Sequence, residues 1–181
     1  MRHFLVAGLC VTLLFSSCSK EEFHSGSSDY FPLSTGNYWE LGNRIRYEVI
    51  KEEELKGKKY FLMSMGYDST WYRVDNEKVY AIQSRTEHLD EQLMFDFTAR
   101  EGDSWAFSDY TVTLQGTEEK ITFQGRVVRN CYLFFVDNPR MADEEYWVWL
   151  APGIGFIQHR CSFCVEPVST LKNARINGTE W

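Results

Sequence analysis

Basic charge is the scarce kind in this 181-residue chain. Nineteen Lys and Arg stand against 26 Asp and Glu, for a net charge of −7. A protein that grips nucleic acid needs a positive face to neutralise phosphates, so this balance excludes that class of partner. Histidine is also scarce, limited to His3, His24, His88 and His159. A catalytic serine would have to use His88 or His159, and no G-x-S-x-G elbow is present. Ala151–Gly155, "APGIG", lacks the lysine and the following helix of a phosphate loop and reads as a strand-linking turn. No apolar run reaches the roughly twenty residues needed to cross a bilayer as a helix. Helical periodicity is missing too, apart from one short turn predicted over Thr86–Leu93.

What is present starts at the N-terminus. Met1-Arg2-His3 leads into twelve uncharged residues, Phe4–Phe15, followed by Ser16-Ser17-Cys18. A basic start, a short apolar stretch and small residues form an export signal. Phe15-Ser16-Ser17-Cys18 resembles a bacterial lipobox, with Phe15 where leucine is usual. The resemblance implies cleavage before Cys18, a diacylglyceryl group on its sulfur and an acyl chain on the new amine. Several chains together hold a protein on a membrane where one does not. Lys20-Glu21-Glu22 follows directly and resembles the export signal of surface-exposed lipoproteins. The expected location is therefore the outer membrane, facing outward, with the periplasmic face as the alternative. Serine and glycine crowd Ser25–Ser28, so residues 18–28 read as a flexible tether and 29–181 as a single domain. Removing residues 1–17 takes away one Arg and no acid. The 164 remaining residues carry 18 basic groups against 26 acidic ones, a net charge of −8.

The mature chain is dominated by strand signals. "RIRYEVIKEEEL" puts Ile45, Tyr47 and Val49 on one face and Arg44, Arg46 and Glu48 on the other. Leu55–Lys59 is a turn. "TWYRVD", Asn76-Glu77 and "KVYAIQS" form a hairpin, and Asn177-Gly178 marks another. "QLMFDF", "YTVTLQG", "KITFQGRVV", "CYLFFVD", "YWVWLA" and "GFIQHR" continue the pattern. Residues 131–136 and 146–150 are apolar on both faces and should be central strands. The fold class is therefore all-β, an antiparallel meander curled into a barrel or stacked as a two-sheet sandwich to hide its edges.

An internal echo points to two similar halves. Phe31–Trp39, "FPLSTGNYW", and Phe97–Trp105, "FTAREGDSW", both fit F-x-x-x-x-G-[ND]-x-W, sixty-six positions apart. Each precedes a run of strands. "DYFPLSTGNYWEL", "WYRVDNEKVY", "FDFTAREGDSW" and "WLAPGIGFIQ" resemble motifs of uncharacterised bacterial secreted proteins and lipoproteins with an FPLxxGNxW start and a late APGxG segment. That resemblance implies location and fold, and supplies no catalytic residues.

Cys131, Cys161 and Cys164 remain after Cys10 leaves and Cys18 takes lipid. Cys161-Ser-Phe-Cys164 lies in a strand-like stretch, not at a helix start, which argues against a redox site of thioredoxin type. In an extended segment the two side chains point to opposite faces and cannot bridge without a turn. A bond from Cys131 to either is the other pairing, and buried free thiols are the simplest state. Cys131, His159, Cys161 and Cys164 could together hold zinc, but spacing this loose arises by accident. Asp137, Asp143, Glu144 and Glu145 crowd one loop that fits no EF-hand and reads as solvated. No metal or cofactor is expected.

Trp147 and Trp149 share a strand face, and Trp71 and Tyr72 lie on opposite faces of another. Exposed aromatics of this kind stack on sugars or grip a partner protein. Trp71, Trp147 and Trp149 are therefore the candidate ligand-binding residues, with core filling as the plainer role of the last two. The function expected is a non-enzymatic binding or accessory module for a glycan or protein, tied to the membrane through its lipid. The alternatives are an envelope assembly component and a carboxylate-dependent glycoside hydrolase.

Overall fold

The computed structural model describes residues 22–23 by their backbone, and 29–42, 45–66, 68–82, 90–162 and 167–181 in full. All regular structure among them is strand. A two-residue strand, β1 (Glu22–Phe23), precedes β2 (Tyr38–Leu41), β3 (Ile45–Leu55), β4 (Lys58–Met65), β5 (Asp68–Asp75), β6 (Lys78–Ile82) and β7 (Glu91–Asp96). The second run is β8 (Ser104–Phe107), β9 (Tyr110–Phe123), β10 (Arg126–Asp137), β11 (Tyr146–Ala151), β12 (Gly155–Cys161) and β13 (Val168–Ile176), closed by β14 (Thr179–Glu180). Pro32, Pro139, Pro152 and Pro167 all fall between strands, where a missing N–H costs no ladder bond.

Every sequential neighbour from β2 to β7 and from β8 to β13 pairs antiparallel. The two six-stranded meanders join where β13 pairs with β2. The free ends of this path, β7 and β8, then meet: Trp105 Nε1 on β8 donates to the Met94 carbonyl on β7 at 3.3 Å. The sheet is thus a nearly closed twelve-stranded barrel, and the sandwich alternative falls away. Lys56-Gly57, Asn76-Glu77, Gln124-Gly125 and Asn177-Gly178 have positive φ at both residues, the I′ geometry that suits the twist of tight hairpins.

The sequence echo is a structural repeat. Gly36 N donates to Val49 O at 2.8 Å, and Gly102 N donates to Leu114 O at 2.8 Å. Asn37 N reaches Ser34 O while Val49 N returns to Asn37 O; Asp103 N reaches Arg100 O while Leu114 N returns to Asp103 O. Gly36 and Gly102 have φ of 88° and 92°, a backbone state in which an L side chain is strained. Each motif therefore turns the chain into the first strand of a meander and fixes it to the second.

Several expectations change. Glu91–Leu93 open β7, so the short turn expected over Thr86–Leu93 is not there; residues 86–89 lie outside the described residues. Cross-strand pairing decides this: Glu91 faces Ile82 in the ladder and its carboxylate takes Arg73, Lys58 and Tyr60. "YTVTLQG" and "KITF" are one fourteen-residue strand, and "QG" after them is a hairpin tip. Within the expected tether, Glu22–Phe23 pairs parallel with Val127 and Val128 of β10. Cys131 is a buried free thiol, but Cys161 is disulfide-bonded, to a partner outside the described residues. Free thiols at all three positions are therefore excluded.

Rings fill the interior. Phe31, just before β2, packs against Tyr72, Phe95 and Phe156 at 5.4 to 6.0 Å between centroids, so it binds both halves together. Phe97, its counterpart in the second motif, packs on Tyr132 and Phe134. Burial of such rings is the dominant stabilising term for a sheet protein with few other cores to draw on.

Candidate ligand cavity

Inside one end of the barrel the packing leaves a cavity of about 230 Å³. Alternation along the strands explains its lining. Tyr47 on β3, Met65 on β4, Thr70 and Tyr72 on β5 and Tyr146 and Val148 on β11 occupy inward positions. Met94 and Phe95 of β7, Phe107 of β8 and Phe156 and His159 of β12 complete the wall. Phe156 and His159 are three residues apart and would face opposite ways in a regular strand. A register shift rescues both: Trp149 pairs with Gln158 while Leu150 pairs with Phe156. Ile157 is the extra residue, and the bulge turns His159 back inward.

The cavity is electrically neutral at physiological pH. Burial pushes the Tyr47 hydroxyl up to about 12. Tyr72 is raised by burial first and then by Tyr47; Tyr146 by burial and then by Tyr72, Tyr47 and Tyr110. Burial alone lowers His159 to about 4, so its imidazole is uncharged. The His159 ring stacks on Tyr146 with centroids 5.5 Å apart. Tyr72 Oη donates to Met65 Sδ at a long 4.0 Å, and the Thr70 side chain hydrogen-bonds with the same hydroxyl. Among the described residues, no carboxylate lines the wall.

The loop between β10 and β11 stands at the same end. Arg140 reaches Asp109 of the β8–β9 turn at 3.5 Å. Asp143 and Glu144 are exposed there, and Glu145 leads directly into Tyr146. Among the described residues, no group of three or more His, Cys, Asp or Glu is placed to hold a metal. The four possible zinc ligands are not assembled: Cys161 is in a disulfide, Cys131 rests on the Val128 carbonyl, and Cys164 lies outside the described residues.

The tryptophans singled out in the sequence do not form a platform. Trp71 is 6% exposed and packs with Tyr60 and Ile82 in a second small core on the outside of the sheet. Lys51 covers its ring at 5.2 Å. Tyr72, on the inner face, is buried as well, so neither member of that pair is exposed. Trp149 is 9% exposed. Trp147 is half-buried, with Phe135 at 4.9 Å, Arg160 over the ring at 4.8 Å and Nε1 donating to Gln115. A sugar would find no bare ring face at Trp71 or Trp149. Cys18, Lys20 and Glu21 lie outside the described residues, and Glu22 is described only as backbone in β1.

Two solved structures are similar to this chain over most of its length. One, assigned as an exported protein with a YmcC-like fold from Bacteroides fragilis, is 12% identical with a TM-score of 0.44, covering 80% of this chain and 98% of its own. The other, assigned as a lipoprotein from Parabacteroides distasonis, is 11% identical with a TM-score of 0.42, covering 83% and 100%. At these values neither likeness bears on ligand or activity. No family model matches the chain, and no curated protein matches it.

The sequence does not mark Tyr47, Tyr146 and His159 as cavity residues, for a physical reason. A buried tyrosine in a strand looks the same whether it packs against carbon or borders a void. In the sequence His159 reads only as a metal ligand or triad base, because its inward direction depends on the bulge.

Proposed function

We propose that this protein is a lipid-anchored, non-enzymatic binding module of the cell envelope that holds a small molecule inside its barrel. One observation carries the binding role: the neutral, ring-lined cavity of about 230 Å³. An apolar cavity of roughly 150 Å³ already takes a benzene ring, so this one suits a molecule of about ten heavy atoms. The described residues of its wall include no carboxylate, so they supply no acid–base pair for glycoside hydrolysis. A glycan or protein ligand on the outer surface would have to rely on Trp147, whose ring Phe135 and Arg160 already engage.

Calorimetric titration with aromatic probes of that size tests the binding role. Saturable binding is expected, and Val148→Trp, which fills the void, should abolish it. The reading fails if the unaltered protein binds none of them. The anchor rests on Phe15–Cys18 and the charged triplet after it. Palmitate should label the wild type and spare Cys18→Ser. Protease shaving of intact cells, with Lys20, Glu21 and Glu22 changed to alanine, tests outward display.

A further inference from the structure

The cavity's polar groups are selective in a way its volume is not. Tyr47 and Tyr146 both border the void, and no group among the described residues accepts a hydrogen bond from either hydroxyl. Tyr72, the third phenol in the wall, has only the distant Met65 sulfur as acceptor. Tyr47 lies near enough to disfavour ionisation of Tyr72, and both disfavour that of Tyr146. Two hydroxyls, those of Tyr47 and Tyr146, therefore face the void with no acceptor among the described residues. His159 completes the same wall and has no hydrogen-bond partner among the described residues.

Charge narrows the ligand class further. The groups facing His159 are Tyr146 on β11, Tyr47 on β3, Tyr72 and Thr70 on β5 and Ser169 opposite it on β13. None carries a charge, so a buried anion or cation would enter without a counter-ion, at a cost of several kcal/mol. Arg160, the nearest cation in sequence, points away onto Trp147. The exposed acids of the β10–β11 loop also repel anions at that end.

Resting on the cavity reading above, we infer that the ligand is an uncharged, compact molecule with an apolar body and a single carbonyl-type acceptor. That acceptor takes hydrogen bonds from the hydroxyls of Tyr47 and Tyr146, one for each carbonyl lone pair. The body lies among Met94, Phe95 and Phe156.

Four probes decide this by calorimetry on the whole protein: acetophenone, its isostere α-methylstyrene, benzoate and phenyltrimethylammonium. Acetophenone is expected to bind about tenfold tighter than α-methylstyrene, the worth of one net hydrogen bond. Neither ion should bind at the same concentrations. Tyr47→Phe and Tyr146→Phe, which keep the ring and remove the hydroxyl, should each erode the ketone's advantage and leave α-methylstyrene unchanged. The bound ketone's carbonyl stretch should shift to lower frequency in the wild type and move back in the variants. Equal affinity for acetophenone and α-methylstyrene would overturn the acceptor inference while the cavity reading stands. Tighter binding of either ion would overturn it as well. Failure of both neutral probes would instead sink the cavity reading itself.

Discussion

Gly155 and Trp39 are locked together: a Cβ on Gly155 would sit 3.2 Å from both Cζ2 and Nε1 of the indole. Pro32 Cδ would be 3.1 Å away. The same indole donates from Nε1 to the Ile154 carbonyl at 2.5 Å. The opening motif, from Pro32 to Trp39, is therefore clamped onto the late Pro152–Gly155 turn. Two motifs more than a hundred positions apart form one contact at the seam between the halves.

Gly155→Ala is predicted to cost about 2–4 kcal/mol. Gly155 has φ of 85°, so alanine adds backbone strain to the clash with Trp39. The midpoint of urea unfolding should fall with an unchanged slope. Loss of under 0.5 kcal/mol would mean that the clamp is loose.

The equivalent glycines of the two halves should behave alike. No atom lies within 4 Å of a Cβ built at Gly36 or Gly102, so only backbone strain is at stake. Gly36→Ala and Gly102→Ala should each cost about 1–2 kcal/mol, less than Gly155→Ala. Their sum should match the double variant, since the sites belong to different hairpins. Strong non-additivity would show that the halves do not fold as similar units.

His159 should make stability fall in mild acid. Its folded pKa, about 4, lies below the unfolded value near 6.5 because burial disfavours the cation. The unfolded chain therefore takes up the proton first as pH drops. Stability is full above about 6.5 and is lost progressively down to about 4, by roughly 3 kcal/mol at most. His159→Phe should flatten that window in unfolding curves at pH 7 and pH 4.5. An unchanged slope in the variant would remove His159 as the cause.

Cys131 should be inert in the folded protein. Burial raises its thiol to about 12, opposed by a backbone hydrogen bond at Ile121 and aided by the Glu119 charge. Iodoacetamide at neutral pH should leave it unlabelled, and label it fully in 6 M guanidinium. Mass measurement of its peptide reads both states. Labelling without denaturant would show that this part of β10 opens readily.

Much of the fold was legible because it is written locally. Ile45, Tyr47 and Val49 alternate with charge and do face inward together. Asn76-Glu77 and Asn177-Gly178 turn where expected because two residues with positive φ are a local requirement. The F-x-x-x-x-G-[ND]-x-W echo was visible because the turn it encodes needs the same residues each time. Trp71 misled, since its outer-face position is clear from alternation but Tyr60, Ile82 and Lys51, which cover it, come from other strands.

The sequence by itself determined that this chain is a β-meander with two similar openings, because side-chain alternation and turn chemistry act over a few residues. The export reading rests on Met1–Cys18 as a linear signal, which needs no tertiary contact. Only the tertiary structure decided that the meanders close into a barrel and that its interior is incompletely filled. Closure depends on Trp105 meeting Met94, and on β13 meeting β2, across long loops of chain. A void exists only where side chains from many strands fail to meet, so no single stretch of sequence records it.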